Sequence, residues 1–241
     1  MHKKLSAKVG VVALCLLFVT GSALAQSSGN FSTSYFPVAC TINSSTGGFG
    51  TNGSTGSTTG GVCVTDGTAV NCGLLNAAIK TSSGNGVTLV ITPSAVTGLY
   101  TETKVTNLTS SATAEVGIQV CVQVDGKGTG VVGGDANGCA MYDERFQQLS
   151  TNLFTQVSTC ALATTTNTNL CNIDLILSTL SAHSYNFIAQ VPGGQHTVTA
   201  TWSVVNTNTI GNATIGACLG PGNVTVTQYK VFQNSGAILS F

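Results

Sequence analysis

The sequence predicts an all-β fold: a single antiparallel β-sandwich or jelly-roll domain with one or two short helices, cross-linked by disulfides. Three observations support this prediction. Apolar and polar residues alternate with a period of two over much of the chain after residue 87, which is typical of strands with one buried face. The cysteines form an even set once an N-terminal export signal is set aside. Charged residues make up only 7% of the chain and glycines number 29, so Thr, Ser, Asn, Gln and Gly dominate the expected surface.

Residues 1–25 have the pattern of a secretory signal peptide, and we expect the protein to be secreted. Three lysines lie within the first eight residues, an apolar run covers residues 9–19, and Ala23-Leu24-Ala25 offers a cleavage site. Cleavage removes three of eight basic residues and leaves five against eight acids, a net charge of −3. This balance argues against nucleic acid or an anionic membrane as a partner. No later apolar stretch reaches the roughly 18 residues of a membrane span.

The cysteines predict four disulfides in an oxidising compartment. Cys15 leaves with the signal, so nine cysteines become eight. Eight cysteines allow 105 pairings, among which local spacing favours three short loops and leaves one long connection between the two ends of the domain. The favoured pairs are Cys63–Cys72, Cys121–Cys139, Cys160–Cys171 and Cys40–Cys218. In the chain-entropy model a short loop contributes about 3 kcal/mol and the long one about 5 kcal/mol.

The composition divides the exported chain into two parts. Residues 26–62 form an N-terminal segment that contains a flexible Gly/Ser/Thr-rich loop at residues 43–61, because this stretch has almost nothing to bury. Residues 63–241 are predicted to form the β-sandwich domain.

The first elements of the predicted sandwich are a short helix and three strands. Residues 74–80 are long enough for two helical turns. Strands are predicted at residues 87–92, where Pro93 ends the run, and at residues 100–106 and 114–124. The alternation is clearest in the last strand, so one of its faces should be buried and the other mixed.

The later elements begin with a second short helix. Ile173, Ile176, Leu177 and Leu180 have the spacing i, i+3, i+4 and i+7, and Asn172 can cap the helix. The elements that follow are, in order, a strand at residues 185–191, a hairpin turn at residues 192–194, and strands at residues 195–205 and 223–232.

Four short segments carry a resemblance to known proteins. They are Ser181-Ala182-His183-Ser184-Tyr185-Asn186-Phe187, Gly194-Gln195-His196-Thr197-Val198, Val122-Gln123-Val124-Asp125-Gly126 and Arg145-Phe146-Gln147-Gln148-Leu149-Ser150. Together they resemble an uncharacterised group of secreted β-sandwich proteins. The Gly-x-His-Thr-Val pattern also resembles strands of phage-tail and C1q/TNF-like jelly rolls. The resemblance covers roughly residues 87–235 and implies a sandwich fold and export, and it carries no catalytic residue to this chain.

A Gly-rich loop offers the main candidate for a metal site. Asp125, Asp135 and Asn137 lie between Cys121 and Cys139, and calcium prefers several oxygen ligands from a flexible loop. The spacing differs from that of an EF-hand. The sequence contains no cofactor motif, so calcium is the one cofactor considered.

Exposed aromatic residues are the candidate for ligand binding. Trp202 and Tyr100 are proposed as a platform that stacks on a sugar ring, although aromatic residues that alternate with valine on strands usually belong to a core. A solvent-exposed Trp202 would favour a carbohydrate-binding module.

An acid–base catalytic site and a histidine-based metal site have weaker support in the sequence than the calcium site and the aromatic platform. Asp143 and Glu144 are neighbouring carboxylates, but adjacent strand residues point to opposite faces and so cannot readily share one site. His183 and His196 could hold a metal with Asp143 or Asp174, or could simply be packed strand and turn residues.

We therefore expect a secreted, non-catalytic protein with an extracellular structural or adhesive role. The alternatives are a carbohydrate-binding module, with or without calcium, and then a secreted hydrolase. The expected partners are a glycan or a surface protein. Neutral strand edges also leave self-association by strand addition open.

Overall fold

The computed structural model describes residues 30–43, 48–52, 61–64, 71–82, 86–106, 111–150, 152 and 171–229. Within these ranges the chain forms thirteen strands and no α-helix, which confirms the prediction of an all-β sandwich. The strands are β1 (Phe31–Phe36), β2 (Ala39–Ile42), β3 (Phe49–Asn52), β4 (Gly61–Val64), β5 (Asn71–Lys80), β6 (Val87–Thr106), β7 (Ser111–Val124), β8 (Val131–Val132), β9 (Cys139–Ser150), β10 (Asn172–Ser184), β11 (Phe187–Val191), β12 (Gln195–Ile210) and β13 (Asn212–Tyr229).

Two antiparallel sheets form the sandwich. The large sheet has the order β1-β13-β6-β11-β8, with β10 beside the second half of β6 and β4 beside β13. The small sheet has the order β5-β12-β7-β9, and β2 and β3 form a separate hairpin. Among the described residues no helix is long and apolar enough to cross a membrane.

Both predicted helices are strands. Residues 74–80 belong to β5, where Leu75, Ala77 and Ile79 are buried and the residues between them are exposed. The apolar run at residues 173–180 belongs to β10, which pairs with β6 along its whole length. Its apolar side chains lie on both faces of one strand, and such a pattern imitates helical spacing. Tertiary pairing therefore overrides the local signal.

The predicted end of a strand at Pro93 is also wrong, because β6 continues through it to Thr106. Pro93 lies opposite the break between β10 and β11. The Pro93 carbonyl faces that break, where it accepts hydrogen bonds from the Tyr185 N–H at 3.4 Å and the Tyr142 hydroxyl at 2.5 Å. An N–H on Pro93 would face the same way, so its absence removes no bond to β13.

The turn at residues 192–194 does not close a hairpin. The strand before it, β11, pairs with β6 and β8, whereas the strand after it, β12, pairs with β5 and β7. The turn therefore takes the chain from one sheet to the other. Buried Thr81 holds it in place: the Thr81 N–H donates to the Gly194 carbonyl at 2.7 Å, and the Gly194 N–H donates to the Thr81 hydroxyl at 2.9 Å.

The other predicted strands are strands in the structure, with some differences in their bounds. The predicted strands at residues 114–124 and 195–205 lie inside β7 and β12, and the predicted strand at 185–191 corresponds to β11. The segment 223–232 matches the end of β13 as far as Tyr229. The predicted signal peptide and most of the predicted loop at 43–61 lie outside the described residues.

The sandwich begins before the predicted boundary at residue 63. β1 pairs with β13 from Phe31↔Thr227 to Phe36↔Gly222, so it is a full member of the large sheet. Phe36 is 1% exposed and packs edge-on against Trp202 in the core, with ring centroids 5.7 Å apart. Residues 31–36 of the predicted N-terminal segment are therefore part of the sandwich.

Two predicted disulfides are confirmed. Cys121–Cys139 joins directly paired residues of β7 and β9, with 4.0 Å between Cα atoms. Cys40–Cys218 spans 178 residues, with 5.7 Å between Cα atoms. Cys72 and Cys171 are also disulfide-bonded. The side chains of their predicted partners, Cys63 and Cys160, lie outside the described residues.

Candidate functional site

The first residue of the predicted calcium site, Asp125, sits in a tight hairpin and contacts β12. Asp125 and Gly126 both have positive φ angles, 52° and 75°, and the flanking Val124 and Lys127 exchange two main-chain hydrogen bonds. An Asp-Gly pair suits this two-residue turn. The Asp125 carboxylate accepts hydrogen bonds from the Thr197 N–H at 2.9 Å and from His196 Nδ1 at 2.8 Å.

The pKa values of this pair move in opposite directions. Burial lowers the pKa of His196, but its hydrogen bonds to Asp125 and to the Pro192 carbonyl outweigh burial and leave it above 6.5. Both partners are acceptors, so this geometry favours the protonated form of His196, in which both ring nitrogens donate. The hydrogen bond from His196 and then that from Thr197 hold the pKa of Asp125 below 3.8. The Asp125–His196 pair thus links the hairpin turn at the end of β7 to the crossover turn at residues 192–194.

The other two residues of the predicted calcium site serve a different part of the loop. One Asp135 carboxylate oxygen accepts hydrogen bonds from the N–H groups of Asn137 and Cys139, both at 2.9 Å. Asp125 and Asp135 are therefore each engaged by nearby donors of the fold. In the described part of the chain, no three His, Cys, Asp or Glu residues are grouped so that they could hold a metal ion. The calcium site stays a prediction without structural support.

The predicted aromatic platform is wrong. Trp202 is 0% exposed, because it lies between the sheets against Phe36 and Tyr142. Tyr100 is on the outer face of the large sheet, but the ring of Phe49 from the β2–β3 hairpin covers it at a centroid distance of 6.5 Å. Its hydroxyl donates to Glu102 at 2.5 Å. Neither ring is available to stack on a ligand.

A polar seam, formed by Asp143, Arg145 and Gln147 of β9, closes one side of the sandwich. These side chains cross from the small sheet to β6 and β10. Arg145 donates to the carbonyls of Leu99 and Leu177 at 2.9 and 3.0 Å. Burial lowers the pKa of Arg145, and the nearby Asp143 carboxylate opposes that effect. The seam supplies hydrogen bonds where two sheet edges meet.

The seam does not form a pair of carboxylates for hydrolysis. Asp143 accepts a hydrogen bond from buried Thr97 at 2.9 Å, whereas Glu144 points away and accepts one from Asn206 at 2.5 Å. This confirms the expectation that the two acids lie on opposite faces. His183 Nε2 lies 3.6 Å from Asp143 Oδ2, which is too long for a hydrogen bond. His183 and His196 therefore face different carboxylates.

The outer edge of β10 carries a run of exposed apolar side chains. β10 pairs with β6 on one side, and no described strand pairs with its other side. Leu175, Ile176, Leu177 and Leu180 are 37–44% exposed. The strand has no Lys, Arg or Pro, and its one acid, Asp174, lies 3.7 Å from Lys104. Natural edge strands usually carry such residues to prevent pairing with other chains.

A cleft of about 370 Å³ lies on the outer face of the large sheet. Residues 94–96 of β6 and 182–183 of β10 form its floor, and residues 35–37 and 221–223 form its walls. Tyr35 is 73% exposed, the highest exposure of any large apolar or aromatic residue in the described chain. This ring is not among the predicted site residues, because no strand is predicted at residues 31–36. The alternation of Phe31, Thr33 and Tyr35 with Ser32, Ser34 and Phe36 is the signal that could have found it.

No protein-family model, no curated protein and no solved structure gives a significant match to this chain. The resemblance to secreted sandwich proteins therefore stays a prediction.

Proposed function

We propose that this protein is an exported, non-catalytic structural or adhesive β-sandwich that assembles with copies of itself through the edge of β10. The observation that carries the proposal is the outer edge of β10, with which no described strand pairs and which carries four exposed apolar side chains. An unprotected edge of this kind is a template for strand addition. The predicted signal peptide and the disulfides support the extracellular setting.

A second copy is the favoured occupant because β10 is compatible with itself. A two-fold antiparallel pair centred on Ile176 places Leu175 opposite Leu177 of the second copy, and the reverse. The same register places Asp174 opposite Ser178, so no like charges meet. Symmetric pairing therefore buries apolar side chains on both faces of the joined sheet.

The test is the mass of the oxidised protein in solution. The full chain is expressed in a host with an oxidising periplasm, and N-terminal sequencing checks for cleavage before Gln26. Light scattering after size exclusion is expected to give a mass that rises with concentration. Leu177→Lys should return the protein to a monomer, because it places a charge in the paired edge.

Leu74→Lys is the matched control. Leu74 and Leu177 are the same residue type and are both 43% exposed, but Leu74 lies on β5 in the other sheet. The control should associate like the wild type. A wild-type protein that stays monomeric up to millimolar concentration, or equal effects of the two substitutions, would overturn assembly through β10.

A further inference from the structure

The cleft beside Tyr35 combines an exposed aromatic ring with polar side chains from neighbouring strands. Tyr35 of β1 pairs with Asn223 of β13, and Asn223 pairs with Ser94 of β6. Residues paired in this way project from the same face of a sheet. The flat ring therefore lies in one row with an amide and a hydroxyl, which supply both donors and acceptors.

The cleft does not favour a charged ligand. The residues that line it include no Lys, Arg, Asp or Glu, and the one basic side chain among them is His183. A phosphate or carboxylate group normally requires a cationic partner, and His183 already faces the Asp143 carboxylate, with Nε2 3.6 Å from Oδ2. A wholly apolar ligand would remove water from Asn223 and Ser94 without replacing their hydrogen bonds.

The size of the cleft limits the ligand to a short one. Its volume of about 370 Å³ is near the lower end of the usual range for small-molecule sites, about 300–1,000 Å³. Beyond Val96, the Cys40–Cys218 disulfide and the Phe49 ring cover Gly98 and close the floor of the cleft. Over Gly98, an added Cβ would lie 2.7 Å from Cys218 Sγ and 2.8 Å from both Cys40 Sγ and the Phe49 ring.

We propose that this cleft binds a neutral saccharide, with one sugar ring stacked on Tyr35 and its hydroxyl groups bonded to Asn223 and Ser94. A pyranose ring has an apolar face of C–H groups and a rim of hydroxyls, so it matches the ring and the polar row together. This site is separate from the edge of β10 at residues 172–180 and does not depend on assembly.

The test is calorimetric titration of the full oxidised protein with neutral oligosaccharides: the hexamers of β-1,4-glucose, β-1,4-N-acetylglucosamine, β-1,4-mannose and β-1,4-xylose. At least one is expected to bind saturably. Tyr35→Ala should weaken that binding by about tenfold to hundredfold, because one exposed ring no longer buries its apolar face on the ligand. Tyr35→Phe should retain most of the affinity, and Asn223→Ala should weaken binding with the ring intact.

Tyr229→Ala is the control for the loss of an exposed tyrosine. Tyr229 is 53% exposed and lies on β13 outside the cleft, so its removal should leave binding unchanged. Unchanged thermal unfolding of Tyr35→Ala checks the fold. The proposal is overturned if none of the four hexamers binds, if Tyr35→Ala and Tyr229→Ala have equal effects, or if a proline-rich peptide binds the cleft and the saccharides do not.

Discussion

Replacing Gln147 with leucine should destabilise the protein by far more than the loss of one polar residue on an edge strand suggests. Gln147 is 5% exposed and lies at the centre of a buried hydrogen-bond cluster. Its amide oxygen accepts from the Thr101 hydroxyl at 2.6 Å, and its amide nitrogen donates to the Thr103 hydroxyl at 2.5 Å and to the Leu175 carbonyl at 2.8 Å. Both threonines are 0% exposed, so water cannot replace the lost partner.

The size of the stability loss follows from the number of buried polar groups that the substitution leaves without a hydrogen-bond partner. Each buried polar group without a partner costs about 1–3 kcal/mol, and Gln147→Leu leaves the two buried threonine hydroxyls in that state. Because the hydroxyls can rotate toward nearby carbonyls, we expect a loss of about 3 kcal/mol in the free energy of unfolding. For a chain of this size that loss lowers Tm by about 6–12 °C.

The assay is urea unfolding of the oxidised protein, followed by the fluorescence of Trp202, which is the single tryptophan and is fully buried. A second variant combines Gln147→Leu with Thr101→Val and Thr103→Val. It should recover much of the lost stability, because the groups without partners are then removed. A single variant that loses less than about 0.5 kcal/mol, or a triple variant less stable than the single one, would refute the reasoning.

Three further predictions concern the core, the ion pair and the long disulfide. Trp202→Ala should cost about 3–5 kcal/mol, measured by circular dichroism, because it opens a cavity between the sheets; a cost below about 1 kcal/mol would contradict the burial. Asp125 and His196 should add stability mainly between their ordinary pKa values of 3.8 and 6.5, since the contribution is lost as pH falls through the lowered pKa of Asp125 and as pH rises through the raised pKa of His196. Asp125→Asn should flatten that profile, and an unchanged profile in a pH series of urea titrations would count against the pair. Removing the Cys40–Cys218 bond with two alanines should cost about 3–5 kcal/mol in the same titration, and an unchanged midpoint would show that the bond adds nothing.

The sequence predicted the fold best where one face of a strand is buried. Residues 195–205 alternate cleanly because β12 lies in the middle of the small sheet with its inner face in the core. β10 was mistaken for a helix because its apolar side chains lie on both faces, and only its pairing with β6 explains that pattern. The predicted strand at residues 114–124 stops correctly before Asp125, but the contact of Asp125 with His196 depends on the crossover between sheets, which no local pattern reveals.

The candidate sites were harder to predict than the fold. Trp202 was considered for a ligand platform from its residue type, but a central strand between two sheets buries it. Tyr35 could not be predicted as a site residue, because the strand that carries it is short and rich in serine and threonine. Its importance depends on Asn223 and Ser94, which lie far away in sequence and meet it only through strand pairing.

The covalent link between Cys40 and Cys218 has a mechanical consequence. Phe31 and Thr227 face each other at the same end of the large sheet, so tension applied to the two ends of the chain peels β1 from β13 one residue pair at a time. After the pair Phe36↔Gly222 the force reaches the sulfur–sulfur bond, and the chain between the two cysteines, which are 178 positions apart in sequence, is shielded from extension. Fully stretched, that shielded chain would add about 600 Å of length. Under drag, the molecule should therefore lengthen by two short tails and then stop, with the chain between Cys40 and Cys218 shielded from further extension.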